Sequence, residues 1–260
     1  MESICKQVVE LTKEVGAFIR AEAGKITHGN IEVKGANDFV TYVDKTSEIK
    51  LVSGLEKIFP QAGFITEEKT INKIGDEYNW IIDPLDGTTN FIHAVPCYAI
   101  SIALMKNKTL VMGVVYEINL TECFYAWQNS KAYLNGKEIQ VSKNISLQHS
   151  LLATGFPYYN YSKMNEYIEL FKYFMIHTRG LRRLGSAATD LAYVACGRFE
   201  GFYEYSLQAW DVAAGAFIVQ QAGGKVVDFK GSNDFVFGKE IIASNALIAD
   251  EFLEAVKKFM

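Results

Sequence analysis

Cysteine, proline and histidine are scarce in this sequence of 260 residues, which contains four of each. The cysteines lie far apart and form no Cys-x-x-Cys pair, so neither a disulfide framework nor a zinc site is expected. With 49% hydrophobic and 22% charged residues, the composition excludes a disordered or fibrous chain. The sequence therefore predicts a globular protein with reduced thiols and a substantial core.

Long apolar runs and an excess of basic residues are also missing. No run approaches the roughly 18 apolar residues of a membrane span, and the mixed, amphipathic start MESICKQVVELTKEVG is not typical of a signal peptide. Lysine and arginine number 26 against 30 aspartates and glutamates, which argues against nucleic acid as the main partner. We therefore expect a cytoplasmic protein that does not associate with membranes.

Strand and helix patterns alternate irregularly along the chain. Residues 2–24 carry apolar side chains at helical spacing, Tyr78–Ile82 predicts a short buried strand, and Asn135-Gly136 predicts a hairpin turn. Neither a Gly-x-Gly-x-x-Gly motif nor a P-loop is present. We expect an α/β (α+β) protein with mixed sheets rather than a barrel or a dinucleotide-binding fold. No low-complexity linker interrupts it, which favours one domain over residues 1–260, with lobes of about 1–145 and 146–260.

Acidic side chains recur where apolar segments end or begin, at Asp44, Glu67, Asp83, Asp86 and Asp211. Taken singly, each has an ordinary interpretation: a turn for Asp83 and Asp86, a solvated face for Glu67, and a helix cap for Asp44 and Asp211. These interpretations do not explain why so many acids lie beside apolar elements, where the burial of charge is costly.

Carboxylates and backbone carbonyls are hard oxygen ligands that suit Mg²⁺ or Mn²⁺, and no histidine or cysteine lies within these acidic segments. Two such ions about 3.5–4 Å apart can stabilise both the attacking and the leaving oxygen of a phosphoryl transfer. Helices that begin near Thr88 and Asp211 would offer backbone N–H groups to a phosphate. The residues alone thus indicate a metal-assisted phosphate hydrolase.

Two segments carry a family resemblance, Trp80–Phe91 (WIIDPLDGTTNF) and Trp210–Gly215 (WDVAAG). With supporting matches that include Gly185-Ser186-Ala187-Ala188, the chain resembles the inositol monophosphatase family, in a superfamily that includes the fructose bisphosphatases. The resemblance covers most of the chain. It implies a layered α-β-α-β-α sandwich with mixed sheets, as in sugar phosphatases, and a homodimer. The implied activity is lithium-sensitive, Mg²⁺-dependent hydrolysis of myo-inositol monophosphate to inositol and phosphate.

The resemblance also assigns metal ligands. Two or three Mg²⁺ ions are implied, with Mn²⁺ as a substitute. The first ion would be held by Glu67, Asp83 and the carbonyl of Leu85. Asp83 would bridge to a second ion, which Asp86 and Asp211 complete. A weaker third ion would lie near Glu67 and the loop from Lys34 to Asp38.

Catalytic and substrate-binding roles follow from the same resemblance. Asp44 would accept a hydrogen bond from Thr88, which orients and helps deprotonate the water that attacks phosphorus in line. Backbone N–H groups of Gly87 and Thr88 would hold phosphate oxygens. Glu204 would accept hydrogen bonds from ring hydroxyls, although as a strand-end residue it also fits a surface acid. Near the ring the resemblance places Ser186 and Ala187, which could equally be helix-start residues chosen for size.

Several alternatives stay open at this point. Thr89 favours the inositol branch over nucleotide and histidinol phosphatases, but a fructose-1,6-bisphosphatase or a broader sugar or nucleotide phosphatase remains an alternative. Some members of the family act as regulatory partners of RNA polymerase or its antitermination factors. Arg183, with Arg179 and Arg182, could steer an anionic substrate or lie in a dimer interface. The tyrosines 158, 159 and 161 could line a pocket or form a surface loop.

Overall fold

The computed structural model describes residues 1–26, 31–35, 38–158 and 160–260, and at residues 31, 33–35 and 38 it describes the backbone alone. Within these residues the α-helices are α1 (Glu2–Glu22), α2 (Tyr42–Ile58), α3 (Thr88–Ile92), α4 (Met164–His177), α5 (Ala187–Ala195), α6 (Ala209–Gln221) and α7 (Ala249–Lys257). Among the helices so described, none has both the length and the apolar character needed to cross a membrane.

The described strands form three sheets. A seven-stranded sheet has the order β3 (Gly63–Thr66), β4 (Tyr78–Asp86), β5 (Ala99–Lys106), β6 (Thr109–Glu117), β7 (Glu122–Trp127), β8 (Ala132–Leu134) and β9 (Lys137–Ile139). A five-stranded sheet has the order β11 (Gly180–Arg182), β10 (Leu151–Thr154), β12 (Gly201–Tyr205), β14 (Glu240–Ser244) and β13 (Lys225–Val227). A two-stranded sheet pairs β1 (Ile31–Gly35) with β2 (Asp38–Thr41).

Five layers stack on one another. Helices α1 and α2 cover one face of the seven-stranded sheet, and α5 and α6 lie between that sheet and the five-stranded sheet. Helices α4 and α7 cover the outer face of the five-stranded sheet. Pairing is parallel between β3 and β4 and from β10 to both β11 and β12, and antiparallel elsewhere. The predicted α-β-α-β-α sandwich with mixed sheets is confirmed.

Both faces of the seven-stranded sheet are buried, which explains why β5 is apolar almost throughout. Because side chains alternate across a strand, Ala99 and Ala103 face α5 and α6, whereas Ile100 and Ile102 face α1 and α2. The side towards α6 carries small residues. The Ser101 hydroxyl donates a hydrogen bond of 2.9 Å to the carbonyl of Trp210 at the start of that helix. Small side chains on this face therefore let α6 lie close to the sheet.

Gly113 on β6 shows how close that approach is. A Cβ atom there would lie 2.6 Å from the backbone carbonyl oxygen of Ala214 in α6, which is nearer than real Cβ atoms come to backbone. Only glycine fits without a shift of the helix or the strand. The position of α6, and of Asp211 in its first turn, thus depends on glycine at position 113.

The sequence expectations for single elements are mostly met. Residues 2–24 form a helix, as predicted, over Glu2–Glu22, and Asn135-Gly136 forms the turn between β8 and β9 with positive φ at both residues. The strand predicted over Tyr78–Ile82 is shorter than the observed strand, because β4 continues to Asp86. Its last residues pair with β5 through an irregular register between Asp83 and Asp86.

We predict that Gly113→Ala destabilises the protein, because the added methyl group has to displace the backbone of α6. The expected loss is about 1–3 kcal/mol in the free energy of unfolding. Chemical denaturation measures it, with Thr109→Ala at an exposed position of the same strand as the control. An unchanged unfolding midpoint in Gly113→Ala would contradict the close packing of α6 on β6.

Candidate active site

A pocket opens where β4 ends and where α5 and α6 begin. Its volume is about 770 Å³, the open mouth included. Most of the site residues predicted from the sequence line this one pocket, namely Glu67, Asp83, Leu85, Asp86, Gly87, Thr88, Ser186, Ala187, Glu204 and Asp211. Thr89 also lies in its wall. The side chains of Lys34 and Asp38, predicted near a third ion, lie outside what the structure describes.

The end of β4 places two aspartates on the pocket. Asp83 is 2% exposed, and its Oδ1 accepts a hydrogen bond of 2.9 Å from the backbone N–H of Leu85. Pro84 lies between Asp83 and Leu85 and has no N–H to donate, so the regular hydrogen bonding of β4 to a neighbouring strand is interrupted here. The resulting irregularity turns both Asp83 and Asp86 towards the pocket. A simple surface turn, the ordinary interpretation of this segment, is therefore wrong.

Asp44 lies behind the pocket wall and joins α2 to the β4 segment. Its Oδ2 accepts hydrogen bonds from the N–H and the hydroxyl of Thr41, at 2.8 and 2.6 Å, and closes a capping box at the start of α2. Its Oδ1 accepts from the Thr88 hydroxyl at 2.9 Å. Burial raises the pKa of Asp44, and the hydrogen bonds from Thr41 and Thr88 oppose that shift. The helix-cap interpretation is thus correct, and the same carboxylate also fixes Thr88.

Two further aspartates interact with helix starts: Asp86, at the end of β4, with the start of α5, and Asp211 with the start of its own helix, α6. Asp86 Oδ2 accepts hydrogen bonds of 2.7 Å from the Ser186 hydroxyl and from the N–H of Ala188. Asp211 Oδ2 accepts one of 2.7 Å from the N–H of Gln208 and completes a capping box on α6. Helix N-termini favour negative charge, so both positions stabilise a carboxylate beside the pocket.

The loop that carries Glu67 is fixed by Glu48, a residue that sequence reasoning missed. The buried carboxylate of Glu48, on α2, accepts hydrogen bonds of 2.7 Å from the N–H of Glu68 and from the N–H and hydroxyl of Thr70. These bonds tie down the loop that follows β3 and carries Glu67. The spacing of Glu48 from Leu51 and Leu55 could have indicated it, because it lies on the same apolar face of the helix.

The carboxyl groups of the pocket are hard to ionise, mainly because they are buried and, at Asp83, also because other carboxylates lie nearby. Burial raises the pKa of Asp83 well above its usual value, and the charges of Glu67, Asp86 and Asp211 raise it further. A hydrogen bond between Asp83 and Glu67 acts in the same direction. Burial likewise raises the pKa of Asp86 to about 6, against the opposing effect of its hydrogen bonds and of Arg183. Clustered acids of this kind cost stability and mark a functional site.

The donor set fits a hard divalent cation. Several carboxylates and the carbonyl of Leu85 converge on one pocket, and their mutual repulsion is what a cation would relieve. Across the described ranges, no three His, Cys, Asp or Glu side chains already share a metal-ligand geometry. Instead, Asp83 and Glu67 share a hydrogen bond, which requires a proton between the two carboxyl groups. The pocket therefore fits a divalent cation in the chemistry of its ligands and in their burial.

The far wall of the pocket lies against the five-stranded sheet. Glu204 on β12 is 4% exposed, so its interpretation as a surface acid is wrong. Its carboxyl group packs on Gly155, where a Cβ atom would overlap it. Arg183 and Tyr158 also line the pocket, and the Arg183 guanidinium donates a hydrogen bond of 2.6 Å to the Tyr158 hydroxyl. Asp190 lines the same wall and was not singled out from the sequence.

Comparisons with known proteins identify relatives of this chain. A family model described as the inositol monophosphatase family matches residues 1–259. The chain is 39% identical over 246 residues to the fructose-1,6-bisphosphatase/inositol-1-monophosphatase of Aquifex aeolicus (94% of this chain and 92% of that protein). It is 39% identical over 250 residues to the Nus factor SuhB of Pseudomonas aeruginosa (94% and 92%). The solved structure of an IMPase from Thermotoga maritima superposes with a TM-score of 0.87 at 36% identity and covers 96% of this chain and 95% of that one.

We predict that Asp83→Asn stabilises the protein in EDTA, because it removes one of the buried repelling charges. Since burial and neighbouring acids raise the pKa of Asp83, its ionisation costs stability as the pH rises through that pKa. The gain in Tm should therefore grow with increasing pH. Each kcal/mol gained in the free energy of unfolding should raise the Tm by about 2–4 °C.

Differential scanning fluorimetry between pH 5 and 8.5 measures this shift, with Asp228→Asn, a buried turn residue outside the pocket, as the control. Addition of Mg²⁺ should raise the Tm of the unaltered protein more than that of Asp83→Asn. A Tm for Asp83→Asn that lies below that of the unaltered protein at pH 8.5 in EDTA would refute the repulsion.

Proposed function

The chain belongs to the inositol monophosphatase family, and from that premise we propose that it hydrolyses the phosphate monoester of myo-inositol monophosphate in a Mg²⁺-dependent reaction. The family and a relative named as a phosphatase indicate a phosphatase in general. The observation that carries the proposal is the group of acids at Glu67, Asp83, Asp86 and Asp211 around one pocket. The products would be inositol and inorganic phosphate.

The metal ligands in this proposal are the ones that line the pocket. Glu67, Asp83 and the carbonyl of Leu85 would hold one Mg²⁺ ion, and Asp83, Asp86 and Asp211 a second. When bound, Mg²⁺ supplies an activated water and neutralises charge on the phosphate and on the departing oxygen. The third ion near Lys34 and Asp38 stays a prediction, as does inhibition by lithium.

Thr88 and Asp44 would position the attacking water. Because Asp44 accepts the hydroxyl proton of Thr88, the Thr88 oxygen presents its lone pairs to the pocket. A water that donates a hydrogen bond to this oxygen is oriented for in-line attack on phosphorus. The Leu85 carbonyl, 3.0 Å from the Thr88 oxygen, is a second acceptor that competes with Asp44 for the same hydroxyl proton. Charge on Asp44 strengthens the bond to Thr88 and supports removal of the water proton.

Phosphate and alcohol would occupy opposite parts of the pocket. Backbone N–H groups of Gly87 and Thr88 would hold phosphate oxygens beside the carboxylates. Glu204, with Ser186 and Ala187 nearby, would face the inositol ring. A buried carboxyl group suits a polyol, because hydroxyl groups supply the hydrogen bonds that burial removes.

We predict that phosphate release is fastest from myo-inositol 1-phosphate and depends on Mg²⁺. A panel with fructose 1,6-bisphosphate, 3′-phosphoadenosine 5′-phosphate and histidinol phosphate, each assayed with Mg²⁺ and with EDTA, measures both points as kcat/KM. Preference for fructose 1,6-bisphosphate would retain the metal chemistry and replace the substrate. Equal release in EDTA would overturn the role of the acids as metal ligands.

A second candidate is a regulatory role in transcription, which is favoured by the name of the Pseudomonas aeruginosa relative, a Nus factor. Such a role would use the folded surface rather than the pocket. The two candidates are compatible, since the acids of the pocket are all present in this chain. A homodimer and a cytoplasmic location also stay predictions.

If the regulatory role exists, Asp83→Asn should still bind RNA polymerase or its antitermination factors although it no longer releases phosphate. A pull-down with purified transcription components and the tagged protein, unaltered or carrying Asp83→Asn, measures this. No binding by the unaltered protein would remove the second candidate. Loss of binding in Asp83→Asn alone would show that the two functions share the pocket.

A further inference from the structure

Among the described residues that line the pocket, Asp190 is the one carboxylate that the catalytic proposal does not use. It lies on α5 three residues after Ala187, so both side chains face the pocket from the same side of the helix. Asp190 is 1% exposed, and its Oδ1 has no hydrogen-bond partner within the described part of the chain. A buried carboxyl oxygen without a partner is costly, so its retention in a pocket wall indicates a ligand.

Asp190 on α5 and Glu204 on β12 line the same pocket, and α5 packs against β12. Burial raises the pKa of Glu204, and the charge of Asp190 raises it further. Burial also raises the pKa of Asp190, the charge of Asp86 adds to that shift, and Arg183, which lines the same pocket, opposes it. Neither Asp190 nor Glu204 accepts a side-chain or backbone hydrogen bond from any residue for which the structure gives contacts.

We propose that Asp190 and Glu204 together form a double acceptor for two neighbouring hydroxyl groups on the alcohol part of the substrate. Asp190 is then a specificity-determining residue, and it selects polyol phosphates over phosphates of simple alcohols. This inference rests on the proposed phosphatase function and adds a second recognition group to it.

Hydroxyl groups suit this pair of acids better than other ligands do. A hydroxyl group donates one hydrogen bond and accepts two, so it can pair with a carboxylate or with a protonated carboxyl group. Two neighbouring hydroxyls can therefore satisfy both acids even when one of the acids is protonated. A second phosphate would instead be repelled by the acids, and an apolar group would leave the Asp190 oxygen unpaired.

The test compares two substrates that differ only in ring hydroxyls, myo-inositol 1-phosphate and cyclohexyl phosphate. The measured quantity is the ratio of their kcat/KM values with Mg²⁺, for the unaltered protein, Asp190→Ala and Asp190→Asn. Asp228→Asn serves as the matched control, because Asp228 is also a buried acid but caps a turn outside the pocket. Circular dichroism establishes that each variant is folded.

We expect Asp190→Ala to lower this ratio by about 10- to 100-fold, since a hydrogen bond to a charged acceptor is lost for the polyol alone. Asp190→Asn keeps an acceptor oxygen without charge, so it should lie between the other two proteins. Asp228→Asn should leave the ratio unchanged. If Asp190→Ala does not fold, the nearly isosteric Asp190→Asn decides the question.

Equal losses for both substrates would mean that Asp190 has a structural role only and would overturn the proposal. An unchanged ratio in both Asp190 variants would overturn it as well. Failure of the unaltered protein to release phosphate from either ester would refute the proposed function itself, and the role of Asp190 with it. The two failures are therefore distinguishable in one experiment.

Discussion

The burial of Asp83 beside three other carboxylates is the constraint on which this structure depends. Asp83 is almost fully buried beside Glu67, Asp86 and Asp211, and each of these neighbours makes its ionisation harder. Such a group is unstable unless the surrounding backbone supplies hydrogen bonds and a bound cation supplies charge. Strand β4 and helices α5 and α6 are positioned so that these acids meet at one pocket.

The backbone meets this constraint with the same device several times. One oxygen of Asp44, Asp86 and Asp211 accepts an N–H group at or near a helix start, and one oxygen of Asp83 accepts the N–H of Leu85. In Asp44 the second oxygen accepts from Thr88, so a single residue both takes part in the capping box of α2 and orients a group in the pocket. Local helix capping and the proposed catalytic geometry therefore depend on the same residues.

Much of the layered fold and of the pocket lining could be predicted through the family resemblance, because the DPLDGTT and WDVAAG segments that carry it are specific and local. The length of β4 could not, since the irregular pairing with β5 that carries it to Asp86 is a tertiary feature. Glu48 and Asp190 were missed for a related reason. Each is an acid on an otherwise apolar helical face, and only the packed structure shows whether such an acid holds a loop or faces a pocket.

We propose that these acids converge in order to hold divalent cations at the pocket. The most direct measurement is anomalous diffraction from crystals of the protein grown with Mn²⁺, which can replace Mg²⁺ at hard oxygen sites. We expect anomalous peaks in contact with Asp83, with Glu67 and the Leu85 carbonyl on one side and with Asp86 and Asp211 on the other. Ordered carboxylates without a peak between them at saturating Mn²⁺, or peaks only elsewhere on the protein, would contradict it.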